Sequence, residues 1–529
     1  MGTAARRLKV ASQREDLLGD EVRSKETDDL VFGVTGYVGS GLSTVSAALV
    51  EQLRGLGFED VQRIKLSELL AERMELERRH AKTVVESVQL QDEGDRLRDR
   101  YGANFVAGLA IKRIHVQRRA TPGNARVFVL DSLKHPQEIE LLRAVYGRGF
   151  YLIGVLCNRK ERSSRLRLKF KDEVDKSKIE DLMDRDHASA DPVGQQVRKT
   201  LHRADFFVAN DAGQDADELG EPLERFLQAV TGVEVIRPTR DERGMHAAWS
   251  ASLRSSCMSR QVGAAISDSK GEILATGTND PPAPGGGLYS EEEAEAEGLP
   301  DRRCFKWAGT HERPYCRNDH KKKEIYEDIF TKLEDSRALR EGVTSQMIRA
   351  ALERTRVRDL IEFSRAIHAE MDALLALARA GTPVPPEGTL YCTTYPCHSC
   401  ARHIVASGLT EVIYIEPYAK SLALELHDDA IREQTVSGQK GVESGERRVV
   451  FRLFSGVAPR RFSALFEKRR SLKDGDGWLM EREGPAHSDR VLMRSFLQLE
   501  EELAKKVDST LQAGAGDDGA RGPTEPSSD

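Results

Sequence analysis

The most constraining feature of the sequence is a pair of short motifs, His368-Ala-Glu370 and, further on, Pro396-Cys-His-Ser-Cys400. A catalytic zinc site takes three protein ligands and leaves a fourth position to water, and His368, Cys397 and Cys400 make such a set. Glu370 is then left to act as general acid and base. A closed structural zinc site would need a fourth Cys or His nearby, and the glutamate would have no task there. The full H-x-E…P-C-x-x-C pattern predicts a zinc hydrolase that deaminates a base.

The residues around the motifs predict the elements that carry them. Apolar residues recur at helical spacing within 365–380, so His368 and Glu370 are expected in the first turn of a buried helix. Pro396 is suited to begin a second helix, with both cysteines on one face of its first turn, and Gly408 to end it. The strands predicted beside these helices are Thr389–Thr394 and Val412–Ile415.

Length and composition limit the remaining possibilities. A chain of 529 residues exceeds one ordinary core, so two domains with extensions are expected. A net charge of -6 and a pI near 6.2 favour a small substrate over a polyanionic nucleic acid. Seven cysteines do not suggest a disulfide framework. Because no signal peptide and no run of roughly 20 apolar residues is found, a cytoplasmic protein without a membrane partner is expected.

The N-terminal half predicts a nucleotide-binding domain. After a loose arm over residues 1–28, an apolar strand (Leu30–Val34) leads into a glycine-rich turn and an amphipathic helix that ends near Leu53. Backbone N–H groups at such a turn hold phosphate oxygens. Leu42 stands where a phosphate-binding loop has lysine, which argues against phosphoryl transfer but not against binding. The residues assigned to nucleotide binding are Gly36, Gly39, Ser40, Gly41, Leu42, Ser43, Thr44 and Asp131, with Ser43 and Thr44 available for Mg²⁺.

Further segments of this half are typical of a nucleotide kinase. Arg126–Asp131 is a buried-type strand that ends in an acidic residue, and Pro136–Tyr146 and Tyr151–Leu156 complete a βαβ unit. Three arginines, Arg162, Arg165 and Arg167, resemble a basic lid, and Gly94–Arg98 resembles a segment that handles a monophosphate. Each feature has an alternative explanation. The glycine-rich turn could be only a tight connection between a strand and a helix, and the arginines could lie on a solvent-exposed face.

The predicted organisation is therefore α/β throughout. A P-loop, nucleotide-kinase-like domain spans 29–235, and a cytidine-deaminase-like three-layer α/β/α domain spans 240–505, with an insertion at about 281–355. Residues 514–529 are Gly, Asp, Ser and Pro and are expected to be a disordered tail.

The second domain resembles the deoxycytidylate deaminases. Ser259-Arg-Gln-Val-Gly-Ala264, Gly277-Thr-Asn279 and the two zinc motifs occur in that family's order, over approximately residues 245–430. With the kinase-like first half, the chain resembles the bacterial anti-phage dCTP/dCMP deaminases, the AvcD-like group. The resemblance implies conversion of dCTP or dCMP to dUTP or dUMP and ammonia, depletion of deoxycytidine nucleotides during infection, and a homo-oligomer.

The same resemblance assigns substrate contacts. Asn279 corresponds to a sugar-contacting asparagine, and Arg260 to a basic position suited to the substrate phosphate. Asn279 could instead be a turn residue, and Arg260 a surface ion pair.

Three alternatives stay open from the residues. The chain could deaminate cytosine or adenine in polynucleotides, although the acidic balance disfavours this. The first domain could be a nucleotide sensor that gates the deaminase through an inhibitory or activating regulator. A second zinc ion could be held by Cys257, Cys304 and Cys316 with His311 or His320, although their spacing is irregular.

Overall fold

The computed structural model describes residues 26–74, 83–120, 126–170, 176–187, 194–211, 216–291, 301–417, 421–434, 447–468, 471–479 and 491–518. The chain divides into two compact units. The first comprises Met1–Arg237 together with Ser455–Asp529, and the second comprises Pro238–Phe454. Most of the predicted N-terminal arm lies outside the described residues.

Strands and helices alternate along the first part of the first unit. The strands are β1 (Glu26–Thr27), β2 (Leu30–Gly36), β3 (Asp60–Lys65), β4 (Arg126–Leu133), β5 (Phe150–Leu156) and β6 (Phe206–Ala209). The helices are α1 (Leu42–Gly55), α2 (Leu66–Arg73), α3 (Val84–Tyr101), α4 (Phe105–Ala120), α5 (Pro136–Tyr146), α6 (Arg159–Lys169), α7 (Lys176–His187), α8 (Val197–Leu201) and α9 (Ala216–Thr231).

The remaining strands and helices belong to the second unit and to the C-terminal segment from Ser455 onward, which returns to the first unit and is called the return. The second unit contains α10 (Arg240–Ser252), β7 (Gly263–Ser267), β8 (Ile273–Thr278), α11 (Arg317–Asp335), α12 (Ser345–Leu352), α13 (Ala369–Arg379), β9 (Thr389–Thr394), α14 (His398–Ser407), β10 (Glu411–Glu416), α15 (Ala423–Leu426), β11 (Ile431–Glu433) and β12 (Val449–Leu453). The return contains β13 (Gly456–Val457), α16 (Phe462–Phe466), β14 (Val491–Leu492) and α17 (Met493–Asp518).

The first unit is built on a six-stranded sheet in the order β13-β6-β5-β2-β4-β3. All its pairings are parallel except that of β13 with β6. Strand β2 is central, and each of its seven residues is buried, as expected of a parallel strand covered on both faces. Phe32 of β2 packs against Tyr151 and against Phe226 of α9. Strands β3 and β4 lie on one side of β2, and β5 and β6 lie on the other. The carboxyl end of β2 is therefore a topological switch point, where ligands of such sheets bind.

The C-terminal segment departs from the predicted domain boundary. The sequence placed residues up to 505 in the second domain, whereas from Ser455 onward the chain belongs to the first unit. The physical reason is its pairing and packing: β13 extends the first sheet at β6, and α17 packs along α4. Residues 514–518, predicted to lie in a disordered tail, form the end of α17, and residues 519–529 lie outside the described residues.

The second unit is built on a sheet in the order β11-β12-β10-β9-β7-β8. The β7–β8 hairpin turns at Gly271, and β7 pairs antiparallel with β9, whereas the strands from β9 to β11 are parallel. Successive strand residues point to opposite faces. Tyr391 of β9 lies against Gly244 of α10, and Cys392 lies beside Glu370 on α13. Helices therefore cover both faces, which makes three layers.

Helix α10 begins with a capping box formed by Thr239 and Glu242. The Thr239 hydroxyl accepts from the Glu242 N–H at 3.1 Å, and the Glu242 carboxylate accepts from the Thr239 N–H at 2.7 Å. These bonds satisfy N–H groups at the start of the helix and so fix where it begins. Within the described part of the chain, no helix is long and apolar enough to cross a membrane.

Candidate active site

The two zinc motifs lie at the starts of two helices. His368 is the N-cap residue of α13, and Cys397 is the N-cap residue of α14, directly after β9. The Cys397 sulfur accepts a hydrogen bond from the Cys400 N–H at 3.5 Å. Pro396 thus precedes the helix cap rather than starting the helix, and Gly408 ends α14 with a φ of 86°, as predicted.

These helix starts bring the three candidate zinc ligands together. The sulfur atoms of Cys397 and Cys400 each lie 3.3 Å from Nδ1 of His368. All three donor atoms lie within 4.8 Å of one another. In a tetrahedral zinc site with bonds of about 2.0 to 2.3 Å, neighbouring donors are roughly 3.5 Å apart, so this set fits zinc.

The charges of the cluster are coupled. A hydrogen bond from Cys400, reinforced by His368 and opposed by burial, lowers the pKa of the Cys397 thiol to about 4. The hydrogen bond between His368 and Cys397 raises the pKa of His368 to about 9. A thiolate is the form of cysteine that binds metals, and an imidazolium must release its proton before it can do so.

Glu370 lies next to the cluster in the first turn of α13. Its side chain is buried, with 4% of the residue exposed, and burial raises the pKa of its carboxyl group. Cys392, a buried thiol of β9 that the sequence interpretation did not single out, lies beside it. A signal for Cys392 was present in its position on the strand that leads to the cysteine motif.

A cavity of about 200 Å³ ends at this cluster. His368, Glu370 and Cys397 line one end of it, and residues of the loop after α10 and of the insertion line the rest. A reacting group in the cavity can therefore reach the buried carboxylate, His368 and Cys397 from one side, whereas Cys400 does not line it.

Asn279 and Arg260 both line this cavity. The Asn279 side chain accepts from the Val262 N–H at 2.7 Å and donates to the Arg260 carbonyl at 2.8 Å, so it holds the loop before β7 in place. Arg260 forms an ion pair with Glu416, and a third of its side chain remains exposed. Asn279 and Arg260 thus have internal partners, as the alternative interpretations of these two residues expected. Both also line the cavity where a substrate would lie.

The residues considered for a second zinc ion are dispersed. Cys257, Cys304 and Cys316 line the cavity without forming a ligand cluster, while the rings of His311 and His320 pack at steep angles against Tyr315 and against each other. Among the described residues, His368, Cys397 and Cys400 are the single group of three close enough to hold a metal. The geometry therefore does not support the second site.

The insertion and the segment that follows it add two arginines that the sequence interpretation missed. Arg317 and Arg365 line the cavity, and the guanidinium of Arg317 stacks 3.8 Å from the centre of the Trp307 ring. Arg365 lies over the same ring at 5.1 Å. No spacing rule indicated this, because Trp307 and Arg365 lie in irregular segments and are 58 positions apart.

A second cavity, of about 700 Å³, lies in the first unit at the glycine-rich turn after β2. Of the residues assigned to nucleotide binding, Gly39, Gly41, Leu42, Ser43, Thr44 and Asp131 line it. Gly36 and Ser40 are not among the lining residues. Gly39 and Gly41 have φ angles of 83° and 82°, which is the left-handed region that favours glycine.

The acidic residue at the end of β4 is already engaged. Asp131 accepts hydrogen bonds from the Ser43 hydroxyl at 3.2 Å and from the Arg63 guanidinium at 2.6 Å. Arg98, in the segment predicted to handle a monophosphate, is held by Glu138 and Asp95. Of the predicted lid arginines, Arg165 lines the cavity, and Arg162 is buried against the Tyr37 ring.

Comparison with known proteins assigns the second unit. The family described as the cytidine and deoxycytidylate deaminase zinc-binding region matches residues 238–416. The deoxycytidylate deaminase of Enterobacteria phage T2 is 30% identical over 178 residues, which cover 33% of this chain and 78% of the phage protein. That of Enterobacteria phage T4 is 30% identical over 175 residues, which cover 33% and 76%.

The chain therefore belongs to the cytidine and deoxycytidylate deaminase family and is a hydrolytic deaminase. The crystal structure of a dCMP deaminase from cyanophage S-TIM5 in complex with dCMP and dUMP aligns with 37% of this chain and 93% of its own, at 21% identity and a TM-score of 0.21. At that TM-score the superposition adds no argument.

Proposed function

We propose that the second unit performs zinc-dependent deamination of deoxycytidine nucleotides, converting dCMP or dCTP to dUMP or dUTP and ammonia. The observation that carries this proposal is the buried Glu370 beside three converging zinc ligands at the end of a cavity. The phage relatives, which are named deoxycytidylate deaminases, support the substrate class.

In the proposed mechanism His368, Cys397 and Cys400 would hold zinc, which would act as a Lewis acid and lower the pKa of water. Glu370 takes a proton from the attacking water and delivers it to N3 of cytosine while the C4–O bond forms. The same carboxylate passes the second proton to the amino group at C4, which leaves as ammonia. The side chain is placed for both transfers because α13 fixes it next to the ligands.

The rest of the cavity supports a substrate that carries phosphate. Arg260, Arg317 and Arg365 line it, and arginine recognises phosphate oxygens through its planar fork of donors. Asn279 is proposed to face the sugar. The acidic balance of the chain favours free nucleotides over polynucleotides, and binding to single-stranded DNA would separate the two.

The direct test is chromatographic conversion of dCMP, dCTP, CTP and adenine nucleotides by the purified chain, with Glu370→Ala in parallel. Formation of deoxyuridine nucleotide by the wild type alone is the expected result. Turnover that persists in Glu370→Ala would contradict the mechanism, and turnover of oligonucleotides alone would replace the substrate class.

A second function is proposed for the first unit, namely nucleotide binding without phosphoryl transfer. It is supported by the cavity at the glycine-rich turn and by Leu42 in place of a loop lysine. Mg²⁺ at Ser43 would have to displace Arg63 from Asp131. A P-loop, kinase-like unit of this kind would act as a sensor that, with an inhibitory or activating regulator, gates the deaminase.

The biological proposal is antiviral defence by a cytoplasmic homo-oligomer of the AvcD-like group. It rests on the resemblance of the two halves together to anti-phage dCTP/dCMP deaminases. Measuring dCTP and dCMP pools in phage-infected cells that express the wild type or Glu370→Ala tests it. Pools that fall equally with both would contradict the role.

A further inference from the structure

A lysine reaches the glycine-rich turn from the neighbouring strand. Lys134 follows directly after β4, and its Nζ donates to the Gly36 carbonyl at 2.9 Å and to the Asp186 carboxylate at 2.8 Å. Its side chain is only 14% exposed and lines the cavity of the first unit. A buried ammonium at the mouth of the turn is the charge that Leu42 does not provide.

An anion already occupies the backbone donor of this turn. The second carboxylate oxygen of Asp186, at the end of α7, accepts the Val38 N–H at 2.6 Å. Asp186 is fully buried and lines the cavity. A carboxylate that binds one loop N–H and one lysine makes the contacts that a phosphate oxygen makes at a phosphate-binding loop.

The cavity is also lined by buried polar groups that lack hydrogen-bond partners among the described residues. The side-chain oxygens of Gln91 and Gln195 have no hydrogen-bond partner among the described residues, although these residues are only 8% and 5% exposed. One guanidinium nitrogen of Arg165 is also buried without a hydrogen bond. All three residues line the cavity. Buried polar groups are almost always paired, so their state points to a ligand that pairs them.

The cavity has one end suited to phosphate. Lys134, Arg165 and the turn lie at that end, and Gly41 approaches Arg165 closely, since a Cβ built on it would lie 3.5 Å from the guanidinium. Toward Gln91 the cavity is lined by Leu70, Leu90 and Val106, and the guanidinium of Arg98 there is bound by carboxylates. This arrangement suits one ligand with a charged and a neutral end.

We propose that this cavity binds one nucleoside phosphate, that Lys134 replaces the missing loop lysine, and that the ligand's phosphate displaces the carboxylate of Asp186 from the loop. The inference rests on the proposed nucleotide binding of the first unit and specifies which residues carry it. Asp186 thereby acts as an internal substitute for phosphate: it compensates Lys134 in the free protein and competes with the ligand.

The test is calorimetric titration of the full chain with ATP, which lacks cytosine, and with inorganic tripolyphosphate. Lys134→Met is expected to weaken both by at least about tenfold, because a charged hydrogen-bond donor to phosphate is lost. Asp186→Asn keeps the shape but removes the competing charge, and is expected to tighten binding by about tenfold. Lys199→Met, which changes an exposed lysine of α8 outside the cavity, is the matched control.

A rescue variant guards against simple misfolding. If Lys134 does the work of the loop lysine, Leu42→Lys in the Lys134→Met background restores ATP affinity to within about threefold of the wild type. A melting curve of each variant shows that the chain is folded. A folded Lys134→Met that binds ATP like the wild type, or an Asp186→Asn that binds more weakly, overturns the proposal.

The outcomes also distinguish an error in the assigned residues from a failure of nucleotide binding itself. If the wild type binds ATP and the Lys134 and Asp186 variants leave affinity unchanged, nucleotide binding stands and the assigned residues are wrong. If neither ATP nor tripolyphosphate binds to the wild type or to Asp186→Asn, nucleotide binding at this unit fails as well. Deamination of dCMP by the same preparations reports independently on the second unit.

Discussion

The two cavities share a location in their folds but differ in what fills them. Each lies where a parallel strand ends and a helix begins, after β9 in one unit and after β2 in the other. At the deaminase site the three candidate ligands form one cluster, and two of them, His368 and Cys397, line the cavity together with Glu370. At the glycine-rich turn the charged groups are paired internally, Asp131 with Arg63 and Asp186 with Lys134.

Under the proposed functions, this difference separates a site for chemistry from a site for binding. A buried carboxylate next to metal ligands is suited to proton transfer. Internal ion pairs instead set a threshold that a ligand must exceed before it can bind.

The largest effect is expected from Glu370→Ala. Loss of the proton-transferring group should lower kcat for dCMP by about 10³ to 10⁴-fold. Zinc content and ATP binding should not change, since Glu370 is neither a ligand nor part of the first unit. Liquid chromatography and metal analysis measure these quantities, with Glu425→Ala at an exposed position as the control. A parallel loss of ATP binding would show that the two sites are not separable.

Removing a ligand should abolish metal binding as well as turnover. Cys397→Ala is expected to reduce zinc from about one ion per chain to none, because two remaining ligands hold zinc poorly. Cys316→Ala, which lines the same cavity outside the cluster, should keep its zinc. Two zinc ions per wild-type chain would contradict the single cluster that the described residues form.

Two glycine variants, one at each site, test how tightly the sites are packed. A Cβ at Gly277 would lie 2.1 Å from the Ala369 carbonyl on the helix that carries Glu370, so Gly277→Ala should cost about 1 to 3 kcal/mol of stability and reduce deamination. Gly41→Ala meets Asn210 at 2.3 Å and a φ of 82°, and should reduce ATP binding instead. Urea unfolding measures the stability, with Gly55→Ala, which faces open space, as the control.

The smallest effect is expected at the phosphate end of the deaminase cavity. Arg260→Met should raise KM for dCMP by about tenfold while leaving kcat nearly unchanged, since it removes one charged contact to phosphate. Deoxycytidine, which carries no phosphate, should be unaffected. Arg254→Met, an exposed arginine outside the cavity, is the control. An equal effect on deoxycytidine would assign Arg260 to its ion pair with Glu416 alone.

Local patterns in the sequence predicted several individual elements. Helix α5 and strand β9 have the predicted bounds, and the helix predicted after the glycine-rich turn is present as α1. These predictions succeeded because hydrophobic periodicity and the positions of Pro and Gly determine local structure within a few residues. The return of residues 455–518 to the first unit was not predictable, since a short strand and a helix do not announce which distant sheet or helix they will join.

By itself the sequence predicted the candidate zinc ligands and the glutamate that lies beside them, because their spacing already specifies ligand chemistry and helix position. It also determined the glycine-rich turn and its missing lysine. Only the tertiary structure decided that Asn279 and Arg260 have internal partners, that Arg317 and Arg365 face the deaminase cavity, and that Lys134 and Asp186 meet at the turn. Those pairings join residues tens to more than a hundred positions apart, and long-range contacts are fixed by packing rather than by local pattern.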